Sequence, residues 1–221
     1  MITILKQRTL KYGMKEYLKL KSLIGQDQEL NSYYFGYGAN LSIDRFRKWN
    51  IPAEIVGPSY IENHEIKFNL PCEYIGKGFA GIEKADDKKV WGILFKVNLS
   101  ALKMMDILEW VPFNFYERKL FEVKCNEETY INVFSYVVCN PRNDLIPSTG
   151  YLDFIIQSGK KAGFPQNYLE QLSLISSKNE FELDPTFLLR DPSKKRIFGA
   201  RLSKIYLIHD KLREKLTRFI P

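Results

Sequence analysis

Strand-forming segments arrive in runs in this chain, with little helical periodicity between them. Residues 54–70 and 79–97 read as strands, most clearly at VWGILFKV, an apolar run too short for a helix and rich in β-formers. YERKLFEVK and YINVFSYVV follow, separated by the polar NEET, and read as an antiparallel hairpin. Upstream, the aromatic SYYFGY is β-prone and breaks at Gly38-Ala39-Asn40; Ser42 can then cap a short helix running to Arg47 or Trp49. A helical period appears in ALKMMDIL, where Ala101, Met104, Met105 and Leu108 share a face. Ser100 is its expected cap, and it stops at Glu109 with Pro112 just beyond. A second helical stretch starts at Tyr151 and terminates at Gly163 and Pro165, and a third spans about Pro165 to Ile175. Residues 10–24 carry an imperfect helical period, with Gly25 as the stop. Runs of strands with few helices between them make the fold α+β with a largely antiparallel sheet.

Composition narrows the function classes. A chain of 221 residues with 45% hydrophobic and 14% aromatic residues buries a core and is not disordered as a whole. The longest stretch lacking Asp, Glu, Lys and Arg is Leu30 to Ile43, 14 residues with two glycines and two asparagines, whereas a membrane span needs about 20 apolar residues. Lys6, Arg8 and Lys11 interrupt any apolar segment of a secretory signal, so the expected location is cytoplasmic. Cys72, Cys125 and Cys139 form no CxxC pair; the expectation is small buried hydrophobes, with neither a disulfide framework nor a thiolate zinc site. His64, in a strand pattern, and His209, in the distal tail, have no nucleophile signature near them and read as surface or packing residues.

The formal charge of +7 is unevenly placed. Residues 1–30 hold six basic and three acidic groups, residues 31–189 hold 17 and 20, and residues 190–221 hold ten and three. Nucleic-acid binding would rest on the tails alone and is disfavoured, because KLREKLTRF reads as a solvated amphipathic helix with Leu212, Leu216 and Phe219 packing down.

Three segments could carry chemistry. In Tyr34-Phe35-Gly36-Tyr37-Gly38-Ala39-Asn40, two glycines allow a tight turn and close approach to a ligand, and the following amides can hold an anion. The missing third glycine and Gly-Lys-Ser/Thr ending exclude dinucleotide and phosphate loops. Glu109 stands at a helix C-terminus, followed by Trp110, Val111, Pro112, Phe113 and Phe115. The dipole and the apolar neighbours both disfavour its ionised form, which suits a group that takes up and returns a proton. Pro147-Ser148-Thr149-Gly150-Tyr151 is a turn leading into a helix, with Tyr151 either a core or a site aromatic.

In this order the segments resemble the γ-glutamylcyclotransferase family. Its opening Tyr-Gly-Ser-Asn loop reads here Tyr37-Gly38-Ala39-Asn40, and its glycine-rich strand pair reads GFAGIEK and VWGILFKV. Its Glu-Gly-Val-Pro-x-x-x-Tyr pattern reads Glu109-Trp110-Val111-Pro112 with Tyr116. Its last motifs are matched by Pro147, Ser148 and Tyr151 and by Gly163, Phe164, Pro165 and Tyr168. The resemblance covers about residues 32–175. It implies a catalytic domain over 32–175 between an N-terminal helical extension (1–31) and a basic C-terminal extension (176–221). It also implies a small, mixed, mostly antiparallel β-barrel with flanking helices.

The activity implied is conversion of a small-molecule γ-glutamyl amide to 5-oxoproline and a free amine, with Glu109 as the general acid and base and neither metal nor cofactor. Tyr34, Phe35, Gly36, Tyr37, Gly38, Ala39, Asn40, Tyr116 and Tyr151 would bind substrate. Two departures stand out: Ala39 removes a hydroxyl but no backbone donor, and Trp110 places bulk where the family has glycine. A homodimer is left open. The alternative is a silent member of the fold whose basic tails hold an acidic partner or nucleic acid.

Overall fold

The computed structural model describes residues 30–48, 51–72 and 77–178. The helices expected over residues 10–24 and near Leu212, together with His209 and both proposed extensions apart from their inner margins, lie outside the described residues.

Five strands close into a barrel. β1 (Ser32–Gly36) is followed by a 3-10 turn (Ala39–Leu41) and helix α1 (Ile43–Lys48); Ser42 Oγ accepts from the Asp44 amide at 3.3 Å, the capping role expected of it. β2 (Ala53–Cys72) and β3 (Lys77–Val97) pair antiparallel along nearly their whole length, from Ala53 opposite Val97 to Cys72 opposite Lys77. Register shifts between Ile55 and Gly57, between Glu62 and His64 and between Phe68 and Leu70 bend this ribbon, since each breaks the ladder locally. At the middle shift Asn63 and Asp87 take positive φ, 54° and 61°, and the Asp87 amide donates to Asn63 Oδ1 at 3.3 Å.

Helix α2 (Leu99–Leu108) comes next, then a 3-10 turn (Val111–Phe113) and the expected hairpin, β4 (Tyr116–Cys125) and β5 (Glu128–Val138). Strand order is β1-β3-β2-β4-β5, and a parallel pairing of β5 with β1, Phe134 opposite Tyr34, closes the circle. Every other pairing is antiparallel. Helices α3 (Thr149–Ala162) and α4 (Gln166–Ser173) pack outside the barrel. Tyr151, Leu152, Ile155 and Gly159 form the buried face of α3. Gly163 ends that helix in the left-handed region (φ 79°), which only glycine adopts without strain.

One helix start differs from the expected position. Asn98, not Ser100, caps α2: its extended backbone lets the side-chain oxygen accept from the Ala101 amide at 2.7 Å. Ser100 is buried inside the first turn. The core face of α2 contains Ala101, Met104 and Met105 as expected, and also Leu102, while Leu108 is half-buried. His64 packs edge-on against Phe121, with ring centroids 5.4 Å apart, consistent with a packing residue. Cys125 is buried and Cys139 half-buried, and both are free thiols. Among the described residues no helix is long and apolar enough to cross a membrane.

Candidate active site

Glu109 is the residue at which α2 stops. Its amide still donates to the Met105 carbonyl at 2.8 Å, but the next residue, Trp110, turns into the left-handed region (φ 57°, ψ 32°) and ends the ladder. Glycine takes that conformation freely, whereas another L-residue pays about 1–2 kcal/mol, so the backbone demand at this position is the one a glycine would meet. Trp110 meets the same demand with an indole, which lies against Phe115 with ring centroids 5.7 Å apart.

The turn leaves the Glu109 carboxylate 14% exposed and facing the first loop. That loop is tight because its glycines have no room for side chains. A Cβ on Gly36 would lie 2.6 Å from the Asn40 carbonyl oxygen, and one on Gly38 would lie 2.9 Å from Tyr151 Oη and 3.1 Å from Ala80 Cβ. The compression buries Asn40 and fixes both its amide hydrogens: Nδ2 donates to Tyr34 Oη at 2.7 Å and to Glu109 Oε1 at 3.0 Å. A second donor, Arg45 Nη2, reaches the same Oε1 at 3.3 Å. Glu109 is thus not left among aromatic side chains alone, as its local sequence suggests, but meets an amide and a cation.

The sequence does not single out Arg45, because the short helix that Ser42 caps, IDRFRK, carries four charged side chains in six residues. The structure separates its two arginines. Arg47 points outward, 73% exposed, and pairs with Asp44; Arg45 is 25% exposed and points inward, beside buried Phe46. The recoverable signal was the apolar Phe46 next to it, which marks one side of α1 as buried.

Four buried tyrosines surround this pair. Tyr37 Oη donates to the Tyr136 carbonyl and Tyr116 Oη to the Ala80 carbonyl, each at 2.7 Å. Tyr151 Oη accepts from the Ala80 amide at 3.5 Å. Burial raises the pKa of Tyr34, Tyr37, Tyr116 and Tyr151, and the negative charge of Glu109 pushes each in the same direction. Tyr151 rises to about 12, although the Ala80 and Ala39 amides and the Arg45 charge pull it down. All four hydroxyls are therefore neutral at physiological pH, where they serve as hydrogen-bond donors and acceptors but not as bases.

Behind them, Tyr136 Oη donates to Asp106 Oδ1 at 2.8 Å. Burial raises the Asp106 carboxyl, opposed by that hydrogen bond and by Arg118, whose Nε lies 3.5 Å away.

The remaining expected site residues are placed as follows. Phe35 is fully buried and stacks with Tyr37, with centroids 6.3 Å apart; its ring fills the space a Cβ on Gly92 would need. Ala39 is half-buried against the core. A separate cleft of about 630 Å³, lined by Trp91, Phe68, Tyr168 and Lys67 among others, includes none of the expected site residues.

Residues 89–172, which hold Glu109, Tyr116 and Tyr151, match the AIG2-like family. Human γ-glutamylcyclotransferase is 28% identical over 159 residues, covering 70% of this chain and 84% of that protein; the bovine enzyme is 29% identical over the same shares. A structure of a γ-glutamyl cyclotransferase superposes with a TM-score of 0.62 at 22% identity, covering 83% of this chain and 98% of its own. Over residues 89–172 this chain is thus similar to the AIG2-like family, and over about 70% of its length to γ-glutamylcyclotransferases. A crystal structure of an uncharacterized human protein has the same TM-score at 26% identity, over 68% of this chain and 90% of that one. The closed barrel with flanking helices is thus the γ-glutamylcyclotransferase-like fold.

Proposed function

We propose that this chain is a γ-glutamyl cyclotransferase, converting a small γ-glutamyl amide to 5-oxoproline and an amine. The observation that carries the reading is the Glu109 carboxylate, held on one oxygen by Asn40 and Arg45 within a shell of neutral tyrosine hydroxyls. Both donors fall on Oε1. Oε2 receives no hydrogen bond from the described residues and is the atom available for proton transfer.

Oε2 takes a proton from the substrate's α-ammonium. The freed amine attacks its own γ-carbonyl carbon, forming the ring C–N bond. As the tetrahedral carbon collapses, Glu109 returns the proton to the departing nitrogen and the amide C–N bond breaks. The ring nitrogen loses a second proton, which leaves with the amine as its ammonium form. One carboxylate serves throughout because attack is intramolecular and the reacting atoms are already joined. The amides of Gly38, Ala39 and Asn40 hold the substrate carboxylate or the developing oxyanion. The Tyr151 hydroxyl, which accepts from Ala80 and has no acceptor for its own hydrogen among the described residues, donates to the same oxyanion.

The test is mass-spectrometric detection of 5-oxoproline from a panel of γ-glutamyl dipeptides, γ-glutamylamines and glutathione, with Glu109→Gln as control. Product from wild type that drops by about 10²- to 10⁴-fold in the control is the expected result. Equal turnover by the two proteins would sink the mechanism.

A further inference from the structure

The contact between Arg45 and Glu109 is an incomplete one. A guanidinium offers five N–H donors in a fork that matches a carboxylate two bonds at a time. Arg45 uses one of them, Nη2 to Oε1, at 3.3 Å, where charge-assisted bonds of this kind ordinarily measure about 2.7–2.9 Å. Its other N–H groups meet no acceptor among the described residues. Of the two side chains Arg45 is the more open, 25% exposed against 14% for Glu109, so solvent reaches the pair from the arginine side. The tyrosines around them are neutral, leaving one positive and one negative charge side by side.

This charge pattern is the mirror of the head of an α-amino acid, which carries one ammonium and one carboxylate on the same carbon. Building on the cyclotransferase reading, we propose that Arg45 is the carboxylate-binding residue of the site: its guanidinium rests on Glu109 in the free protein and transfers to the substrate's α-carboxylate on binding. The exchange replaces one long ion pair with two, carboxylate to Arg45 and ammonium to Glu109. It withdraws the cation from Glu109 when that carboxylate must accept a proton, and leaves the loop amides and Tyr151 to the γ-carbonyl oxygen. The lactam product keeps its carboxylate but has lost the ammonium, so Glu109 regains Arg45 and competes the product away. The substrate class narrows accordingly, to γ-glutamyl compounds whose α-amine and α-carboxylate are both free.

Two amides that close to the same five-membered lactam separate this role from a structural one: a γ-glutamyl amide, and the 4-aminobutanoyl amide of the same amine, which lacks the carboxylate. Wild type is expected to favour the first by about 10²-fold in kcat/KM. Arg45→Gln should lower kcat/KM for the first by a similar factor, mainly through KM, and so abolish the preference for the first over the second. Arg45→Lys should fall between them, since it keeps the charge but not the fork. Thermal denaturation of each variant shows whether it is folded. Equal use of both amides by wild type, or an equal loss on both in Arg45→Gln, would overturn the proposal. If wild type makes lactam from neither compound, the cyclotransferase reading is what fails. Calorimetry with L-glutamine and its α-amide then addresses Arg45 alone: wild-type binding of L-glutamine only, lost in Arg45→Gln, supports the assignment, and equal or no binding rejects it.

Discussion

The β2–β3 ribbon and the loop end of the barrel use the same kinds of charged side chain to different effect. On the ribbon, Glu65 lies between Lys67 and Lys88, with Lys67 Nζ at 2.7 Å, and Glu62 lies between Lys89 and Lys124. These lysines are 37–59% exposed. At the loop end, Glu109 meets Arg45 at 3.3 Å, longer than three of these four contacts, with both side chains mostly covered and buried tyrosines around them. The ribbon pairs are the less consequential, because water screens them and they add little to stability. A long contact in a covered site acts on groups that cannot turn to solvent instead, so position in the fold outweighs distance.

The sharpest way to break the contrast is to make one chemical change in both regions. Glu109→Gln should lose about 10² to 10⁴ in turnover, whereas Glu65→Gln should leave turnover of γ-glutamyl substrates unchanged when the two are assayed side by side. Asn40→Ala is expected to have the next largest effect. It removes the donor shared by Tyr34 and Glu109, leaves buried polar atoms unpaired, and should cost about 1–3 kcal/mol in urea denaturation together with a fall in kcat.

The pH dependence of stability sharpens the comparison further. Asp106, raised by burial, binds its proton more tightly folded than unfolded. Its contribution to stability therefore grows as pH falls from neutral into the range just above an ordinary aspartate, and Asp106→Asn should abolish that growth. Glu65 is lowered by hydrogen bonds from Lys67 and Lys88, so its contribution is present above the ordinary glutamate range and disappears as pH falls through its lowered folded value. Denaturation midpoints of wild type, Asp106→Asn and Glu65→Gln followed from about pH 7 down to about pH 3 should show the Asp106 difference growing above the ordinary aspartate range and the Glu65 difference disappearing below the ordinary glutamate range. Smallest of all is the Glu65→Gln effect at neutral pH, within about 1 kcal/mol.

Much of this was readable along the chain, for physical reasons that also mark where reading stops. The hairpin of β4 and β5, the stop of α2 at Glu109 and the Gly163–Pro165 termination are local, set by alternation, turn residues and caps a few positions apart. Where two candidates compete locally, as Asn98 and Ser100 do for the cap of α2, composition does not choose; the extended backbone at Asn98 does. Arg45 was invisible because two arginines two residues apart in a six-residue helix differ only in which side faces the barrel. The demand behind the family's glycine after the glutamate was equally hidden, since φ at Trp110 is a property of the turn and not of the residue type. The parallel pairing of β1 with β5 joins segments separated by most of the domain, and no pattern within either announces it.

That closing pairing also bears on the order in which the molecule comes into being. Tyr37 donates to the Tyr136 carbonyl across 99 residues of chain, and Ser135 to the Phe35 carbonyl across 100. Contacts so distant carry the largest loop-closure cost and are expected to form after the local ribbon and hairpin, an order that φ-value analysis of Tyr37 and Ser135 would check. The loop that holds Asn40 continues directly from β1, which pairs along its whole length with β3 and at Tyr34 with β5. A ribosome must therefore have released β5 and the start of α3, which carries Tyr151, before the candidate site is complete.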